Sequence, residues 1–197
     1  MRINLGPELK LSVARWISIA GHPFVLTLIL VIFSARYYLP PGRVLPTIIL
    51  VLVILVGPLA WYMRTQVKQG KWQNVDASNP EERPAFYIVA LCLSAVFVLF
   101  LAQSPTDNVL AKGALTIVIL LAVAHLLNRW IKLSLHLAFG TFAAVSLFFF
   151  EPAVSFLIAL FLPALAWSRR AMERHTPREI SVGALLGAVA ALVLRFA

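Results

Sequence analysis

The chain has 197 residues, 61% of them hydrophobic, and a mean hydropathy of +0.89. This composition excludes an ordinary soluble domain, in which about half of the residues are apolar. The net charge is +9, and the basic residues of the chain lie in short segments between apolar runs. This pattern excludes a nucleic-acid-binding domain and favours contact with anionic headgroups or a phosphate substrate. The single cysteine, Cys92, excludes an intrachain disulfide.

Residues 1–16 predict an amphipathic segment at the membrane interface, because Leu9, Leu11 and Val13 mix with Lys10 and Arg15. We predict that residues 17–197 form a single helical membrane domain. A helix needs about 20 apolar residues to cross a bilayer, and several apolar runs reach or approach that length. These candidate spans are 17–35, 44–63, 85–103, 109–127, 131–150, 153–167 and 180–196. We therefore expect an all-α integral membrane bundle of six to seven transmembrane helices.

The first candidate span is interrupted near its start by Gly21-His22-Pro23. Proline has no backbone N–H and disfavours a helical conformation of the residue before it, so the helix is expected to break here. The sequence leaves His22 with a structural interpretation, in which its side chain satisfies the backbone groups that the break releases.

The basic residues predict the orientation of the chain. Seven crossings place the N-terminus and the second, fourth and sixth connections on one side of the membrane. That side carries thirteen Lys and Arg residues, and the other side carries four. The positive-inside rule therefore predicts that the richer side is cytoplasmic. We expect a multi-pass protein of the cell (inner) membrane, with these polar segments on its cytoplasmic face.

The sixth connection, residues 167–179, reads WSRRAMERHTPRE. Five residues separate Arg169 from His175, and three residues separate His175 from Glu179. In a helical segment Glu179 is within reach of His175, so its carboxylate is a candidate to orient the imidazole. The run from Thr176 to Glu179 is also a capping box with proline at the first helical position, which begins the next helix. The sequence leaves open whether Glu179 contacts the Thr176 backbone or His175.

The spacing Ser168-Arg169, then His175, then Glu179 resembles the SR-x5-H-x3-D signature of the type 2 phosphatidic acid phosphatase superfamily, with Glu in place of Asp. The run LSLH at 133–136 is similar to the PSGH signature of that family, and Arg83-Pro84 is similar to the end of its K-x6-RP signature. The three stretches occur in the family's order. With the flanking helices, the resemblance covers over half of the chain.

The resemblance implies a metal-independent lipid phosphatase without a cofactor, acting on a lipid or polyprenyl phosphate or diphosphate among membrane lipids. It implies that His175 attacks phosphorus to form a phosphohistidine, that His136 protonates the leaving oxygen, and that Glu179 orients His175. The residues that it implies for binding the phosphate are Arg83, Arg169, Ser134 and Ser168, and Lys132 joins them as a candidate replacement for a cation of the family pattern. Arginine suits this task because its planar fork matches phosphate oxygens.

Two departures from the family pattern keep other functions open. The family Lys falls on Asp76, so Lys132 or Lys71 is a candidate to supply the missing cation, and the family Gly falls on Leu135. A first alternative is a non-catalytic protein that binds anionic lipid. A second is a lipid phosphotransferase that uses the same residues and an alcohol as acceptor.

Overall fold

A computed structural model describes residues 6–77, 79–103 and 108–196, and the regular elements within these ranges are helices. They are α1 (Pro7–Ala20), α2 (Pro23–Tyr38), α3 (Pro41–Val51), α4 (Gly57–Lys68), α5 (Arg83–Leu101), α6 (Asn108–Leu127), α7 (Leu135–Phe148), α8 (Pro152–Ala171) and α9 (Pro177–Phe196). A π-helical segment, Leu52–Val56, joins α3 to α4. The all-α prediction is therefore confirmed.

Within the described ranges, six helical stretches are long and apolar enough to cross a membrane, which makes this a multi-pass membrane protein. Two of them are composite. Helices α1 and α2 together cover 32 residues, and α3, the π segment and α4 together cover 28. Helices α5, α6, α8 and α9 have 19 or 20 residues each. The predicted bundle of six to seven membrane helices agrees with this architecture.

Helix α7 is shorter than the run 131–150 from which it was predicted. It has 14 residues, and the chain before it is extended at Ser134, so the apolar residues 131–134 lead into the helix without being part of it. Most of its residues are buried, because α2, α8 and α9 pack around it. A helix enclosed by other helices does not need to match the thickness of the bilayer by itself. Helix α7 is the central element of the bundle.

Helices α8 and α9 are longer than predicted, since each has 20 residues and both reach into the basic segment 167–179. The sequence placed Ser168 and Arg169 in a connection, but both lie in the last turns of α8 and are almost fully buried. The Arg169 guanidinium has partners inside the protein, a serine hydroxyl and a carboxylate.

The break at Gly21-His22 occurs where the sequence predicted it, with α1 ending at Ala20 and α2 beginning at Pro23. Nδ1 of His22 accepts a hydrogen bond of 3.2 Å from the amide of Phe24, which confirms the structural interpretation of this histidine. Residues 1–5 of the predicted interfacial segment lie outside the described residues. Gly6 is the N-cap residue, and residues 7–16 of the segment are helical and begin α1.

Helices α7 and α9 are in close contact because two glycines on α9 leave no side chain between them. A Cβ atom on Gly183 would overlap the carbonyl of Ser134, and one on Gly187 would overlap the carbonyl of Ala138. The two glycines are four residues apart and form the small-xxx-small pattern by which membrane helices approach closely. This contact places the first turn of α9 beside the segment that leads into α7.

Candidate active site

The connection between α8 and α9 turns tightly and presents His175. The amides of Arg174 and His175 both donate to the carbonyl of Arg169, and Glu173, the residue before them, adopts a left-handed conformation with φ of 56°. This is the usual way of ending a helix when the chain must reverse. The reversal brings His175 back over the end of α8, where its side chain is only 3% exposed.

Thr176 and Glu179 form the predicted capping box at the start of α9. The Thr176 amide donates to Oε2 of Glu179 over 2.9 Å, and the Glu179 amide donates to Oγ1 of Thr176 over 3.3 Å. These two bonds satisfy backbone donors that the first helical turn leaves without partners.

The same oxygen of Glu179 also contacts His175, at 3.2 Å from Nδ1. The carbonyl oxygen of Lys132 lies 3.0 Å from that nitrogen. Both neighbours are hydrogen-bond acceptors, so Nδ1 of a neutral imidazole must carry the proton and Nε2 must carry the lone pair. The sequence left open whether Glu179 contacts His175 or the Thr176 backbone, and the structure contains both contacts. Glu179 caps α9 and orients His175.

The His175 imidazole is neutral at physiological pH. Burial lowers its pKa from 6.5 to about 3 and is the largest cause. The positive charges of Arg169, Arg83 and Lys132 act in the same direction, and the hydrogen bond to the Lys132 carbonyl opposes them. A neutral imidazole with a lone pair on Nε2 is the form that acts as a nucleophile.

Arg169 is the most deeply buried charge of the site, with 2% of the residue exposed. One of its terminal nitrogens donates to Oγ of Ser18 over 2.7 Å, and the other makes an ion pair of 2.9 Å with Oδ2 of Asp76. Its Nε has no hydrogen-bond partner among the described residues. The Asp76 carboxylate thus occupies a position on the guanidinium at which a phosphate oxygen would bind.

His136 lies in the first turn of α7, close to the same arginine. Its Nε2 is 3.4 Å from Oγ of Ser18, the oxygen that accepts from Arg169. Its ring makes an edge-on contact with that of His22, at 5.4 Å between centroids. Arg169, His175 and Arg83 are all near enough to act on the charge of His136. The structure therefore brings the two predicted catalytic histidines into one cluster.

Arg83 holds the backbone beside this cluster in place. Its terminal nitrogens donate to Oδ1 of Asn128 and to the carbonyl of Leu133, each over 2.9 Å. These bonds fix the segment between α6 and α7, which supplies the Lys132 carbonyl to His175. In this structure the guanidinium is engaged with the protein, and its charge still acts on His175.

The remaining predicted residues differ in their placement. The Ser134 amide donates to the carbonyl of Glu179, and its buried Oγ has no partner among the described residues. Lys132 is near enough for its charge to act on His175. Ser168 does not join the cluster, because its Oγ donates to Leu165 within α8. Lys71 is exposed.

Sequence reasoning missed Ser18 and Asp76 as members of the site. Ser18 precedes the first stretch that resembles the family, and no motif marks it. Asp76 stood at the position of the family Lys and was assigned no role. Among the described residues, no group of three His, Cys, Asp or Glu is placed to hold a metal ion.

The low pKa of His175 predicts how stability depends on pH. Its unfolded-state pKa is about 6.5, so between pH 6.5 and pH 3 the unfolded chain binds a proton that the folded protein does not. The stability contributed by this group is complete above pH 6.5 and is lost as the pH falls toward 3. The thermal unfolding midpoint of the wild type in neutral detergent should fall more steeply with pH than that of His175→Asn. Parallel pH profiles of the two proteins would contradict the assignment of a buried neutral imidazole.

The chain matches no protein-family model, no curated protein and no solved structure. Its resemblance to the phosphatidic acid phosphatase superfamily therefore rests on its own residues, in the order Arg83-Pro84, His136 and 168–179. The contacts around His175 and Arg169 add spatial proximity to that order.

Proposed function

We propose that the protein is an integral membrane phosphatase that hydrolyses a lipid or polyprenyl phosphate or diphosphate through a phosphohistidine. The observation that carries this proposal is the placement of His175, whose Nδ1 lies between the Lys132 carbonyl and Glu179. A buried imidazole held in this tautomer offers the lone pair of Nε2 as a nucleophile, and the neighbouring carboxylate stabilises the charge that develops during attack.

In the first step Nε2 of His175 attacks the terminal phosphorus, and the bond from that phosphorus to the oxygen of the leaving group breaks. His136 gives a proton to that oxygen, and the leaving group is the lipid alcohol for a monophosphate or the lipid monophosphate for a diphosphate. In the second step a water molecule attacks the phosphohistidine, His136 takes a proton from the water, and inorganic phosphate leaves. The substrate's negative charge favours the protonated form of His136 in the first step. Arg169 is placed to stabilise the charge on the phosphoryl oxygens.

In the proposed mechanism Asp76 is the anion that the substrate phosphate replaces on Arg169. Its carboxylate is paired with one terminal nitrogen of Arg169, so a phosphate that binds this nitrogen must displace it. Displacement replaces one anion with another and leaves the arginine charge compensated in both states, which avoids an unpaired buried charge. The segment that carries Asp76 precedes α5 and includes Ala77, whose φ is 46°.

The membrane setting suits an amphiphilic substrate, whose headgroup would meet the arginines while its chain lies along the helices. The excess of basic residues on this side supports a location in the cell (inner) membrane with the site facing the cytoplasm.

The ion pair between Arg169 and Asp76 favours one alternative, a non-catalytic protein that binds anionic lipid, because the arginine already has an anionic partner. A lipid phosphotransferase is the other. It would form the same phosphohistidine and pass the phosphoryl group to an alcohol. Release of inorganic phosphate from a panel of lipid phosphates without an added acceptor identifies the phosphatase, and transfer of a labelled phosphoryl group to an added alcohol separates the phosphotransferase from the non-catalytic protein.

Variants of Glu179 test whether this carboxylate orients the nucleophile. Glu179→Gln retains a side chain suited to the capping box but removes the charge, and its neutral amide can hold the wrong tautomer of His175. We expect phosphate release to fall by about 10²- to 10⁴-fold, as for a triad whose carboxylate is replaced by an amide. Glu179→Asp should retain most activity.

Thr176→Ala is the matched control for this experiment. It removes the capping hydroxyl and leaves the Glu179 carboxylate in place, at a cost of about 1 kcal/mol in stability. We expect a lower unfolding midpoint with nearly normal turnover. If Glu179→Gln keeps normal activity, or if Thr176→Ala loses as much activity as Glu179→Gln, the orienting role is wrong.

Asp76→Asn tests whether the substrate competes with Asp76 for Arg169. The amide keeps the size of the side chain and removes its charge, so the substrate phosphate no longer displaces an anion. We expect KM for the lipid phosphate to fall by about tenfold, which corresponds to about 1.4 kcal/mol of binding. Lys71→Gln, a change at an exposed residue of the same segment, should leave KM unchanged. A rise in KM in Asp76→Asn would show that the carboxylate aids substrate binding.

A further inference from the structure

A cavity lies at the other end of the bundle from His175. It has a volume of about 360 Å³, and α2, α3, the π segment, α5, α6, α7 and α9 all contribute to its wall. Glu179 and Arg195 stand at opposite ends of α9, 16 residues apart, which corresponds to about 24 Å along the helix. Arg195 lines this cavity, so the cavity is separate from the candidate active site.

The cavity is apolar inside and positively charged at its rim. Leu30, Val31 and Phe97 are among the apolar side chains of its interior. Lys112, in the first turns of α6, and Arg195, in the last turn of α9, lie at its outer end. The Arg195 guanidinium stands over the ring of Phe149, at 5.1 Å from its centroid, which holds the charge at the rim.

The depth of the cavity corresponds to one leaflet. On α2 its lining runs from Tyr38, at the end of the helix, to Thr27, eleven residues earlier. At 1.5 Å per residue this is about 16 Å. The hydrocarbon core of a bilayer is about 30 Å thick, so the cavity reaches about halfway through it. A volume near the lower end of the usual range of ligand pockets, about 300–1,000 Å³, suits one chain better than two.

Two details of the wall point to a ligand. Ser146 lines the cavity with a buried Oγ that has no hydrogen-bond partner among the described residues, and a buried hydroxyl without a partner is costly. Val51 and Leu55, on the other wall, belong to the region where α3 passes into the π segment. Single π-helical turns in α-helices occur frequently at functional sites.

We propose that this cavity binds a single-chain amphiphile with an anionic headgroup. The chain lies between α2, α5 and α6, and the headgroup meets Lys112 and Arg195. The headgroup is a carboxylate, as in a fatty acid, or a phosphate, as in a lysophospholipid, because both offer the same charge to the two cations. Glu151, a carboxylate at the same end of the bundle, does not line the cavity.

The test is equilibrium binding of radiolabelled oleate to the purified full chain in neutral nanodiscs, with oleyl alcohol and oleoyl lysophosphatidate as competitors. The His175→Gln protein is used, so that hydrolysis of lysophosphatidate at the candidate active site does not enter the readout. We expect saturable binding of one oleate and displacement by lysophosphatidate. Oleyl alcohol, which lacks the charge, should compete at least about tenfold less well. The stronger of the two anionic ligands identifies the headgroup.

Two variants localise the binding. Gly113 lines the cavity, and a Cβ there meets no atom within 4 Å, so Gly113→Leu should fill the space without disturbing the fold and reduce oleate binding at least about tenfold. Gly42→Leu, at an equally open glycine outside the cavity, is its control. The double variant Lys112→Gln with Arg195→Gln should weaken oleate about tenfold and leave oleyl alcohol unchanged.

Arg36→Gln is the control for the charge variant, because Arg36 is an exposed cation in the last turn of α2 that does not line the cavity. Absence of saturable binding, equal competition by oleyl alcohol, or unchanged oleate binding in Gly113→Leu or in the double variant would each overturn the proposal. None of these outcomes depends on whether His175 is catalytic.

Discussion

The contact between α7 and α9 holds the candidate site together. Gly183 and Gly187 allow the α9 backbone to lie against the carbonyls of Ser134 and Ala138, and a side chain at either glycine would separate the helices. Membrane helices gain little from hydrophobic exclusion of one another, so such close packing is a main source of their association. It brings the Ser134 amide to the Glu179 carbonyl, at 3.0 Å, and the Lys132 carbonyl to His175. The close approach of α7 and α9 therefore sets the orientation of His175.

The second constraint is the cost of buried positive charge. Arg83 and Arg169 are both nearly inaccessible to solvent, and each is surrounded by acceptors from distant parts of the chain. Arg83 is engaged with neutral acceptors, whereas Arg169 has a carboxylate, Asp76, as its counter-ion. Among the described residues the counter-ion of Arg169 is a single carboxylate, and a bound phosphate would take the place of that carboxylate. The same charges, with burial, keep His175 neutral.

The local features of the site could be predicted from the sequence, and the long-range ones could not. The capping box and the contact of His175 with Glu179 span three and four residues, so helical geometry alone implies them. The break before Pro23 is local for the same reason. The partners of Arg169 are 151 and 93 residues away, and no spacing rule connects them. The spacing of Gly183 and Gly187 is typical of a close helix contact, but it does not identify the partner helix, and our sequence analysis did not predict this contact.

Trapping the covalent intermediate tests directly whether His175 is the nucleophile. Purified protein is mixed briefly with a lipid phosphate labelled in its phosphoryl group, quenched in alkali, and digested so that the labelled residue can be located. The account predicts transient label on His175, with a burst of lipid alcohol that precedes release of phosphate, and no label in His175→Gln. Phosphate release without label on His175, label on another residue, or no reaction with any lipid phosphate would contradict it.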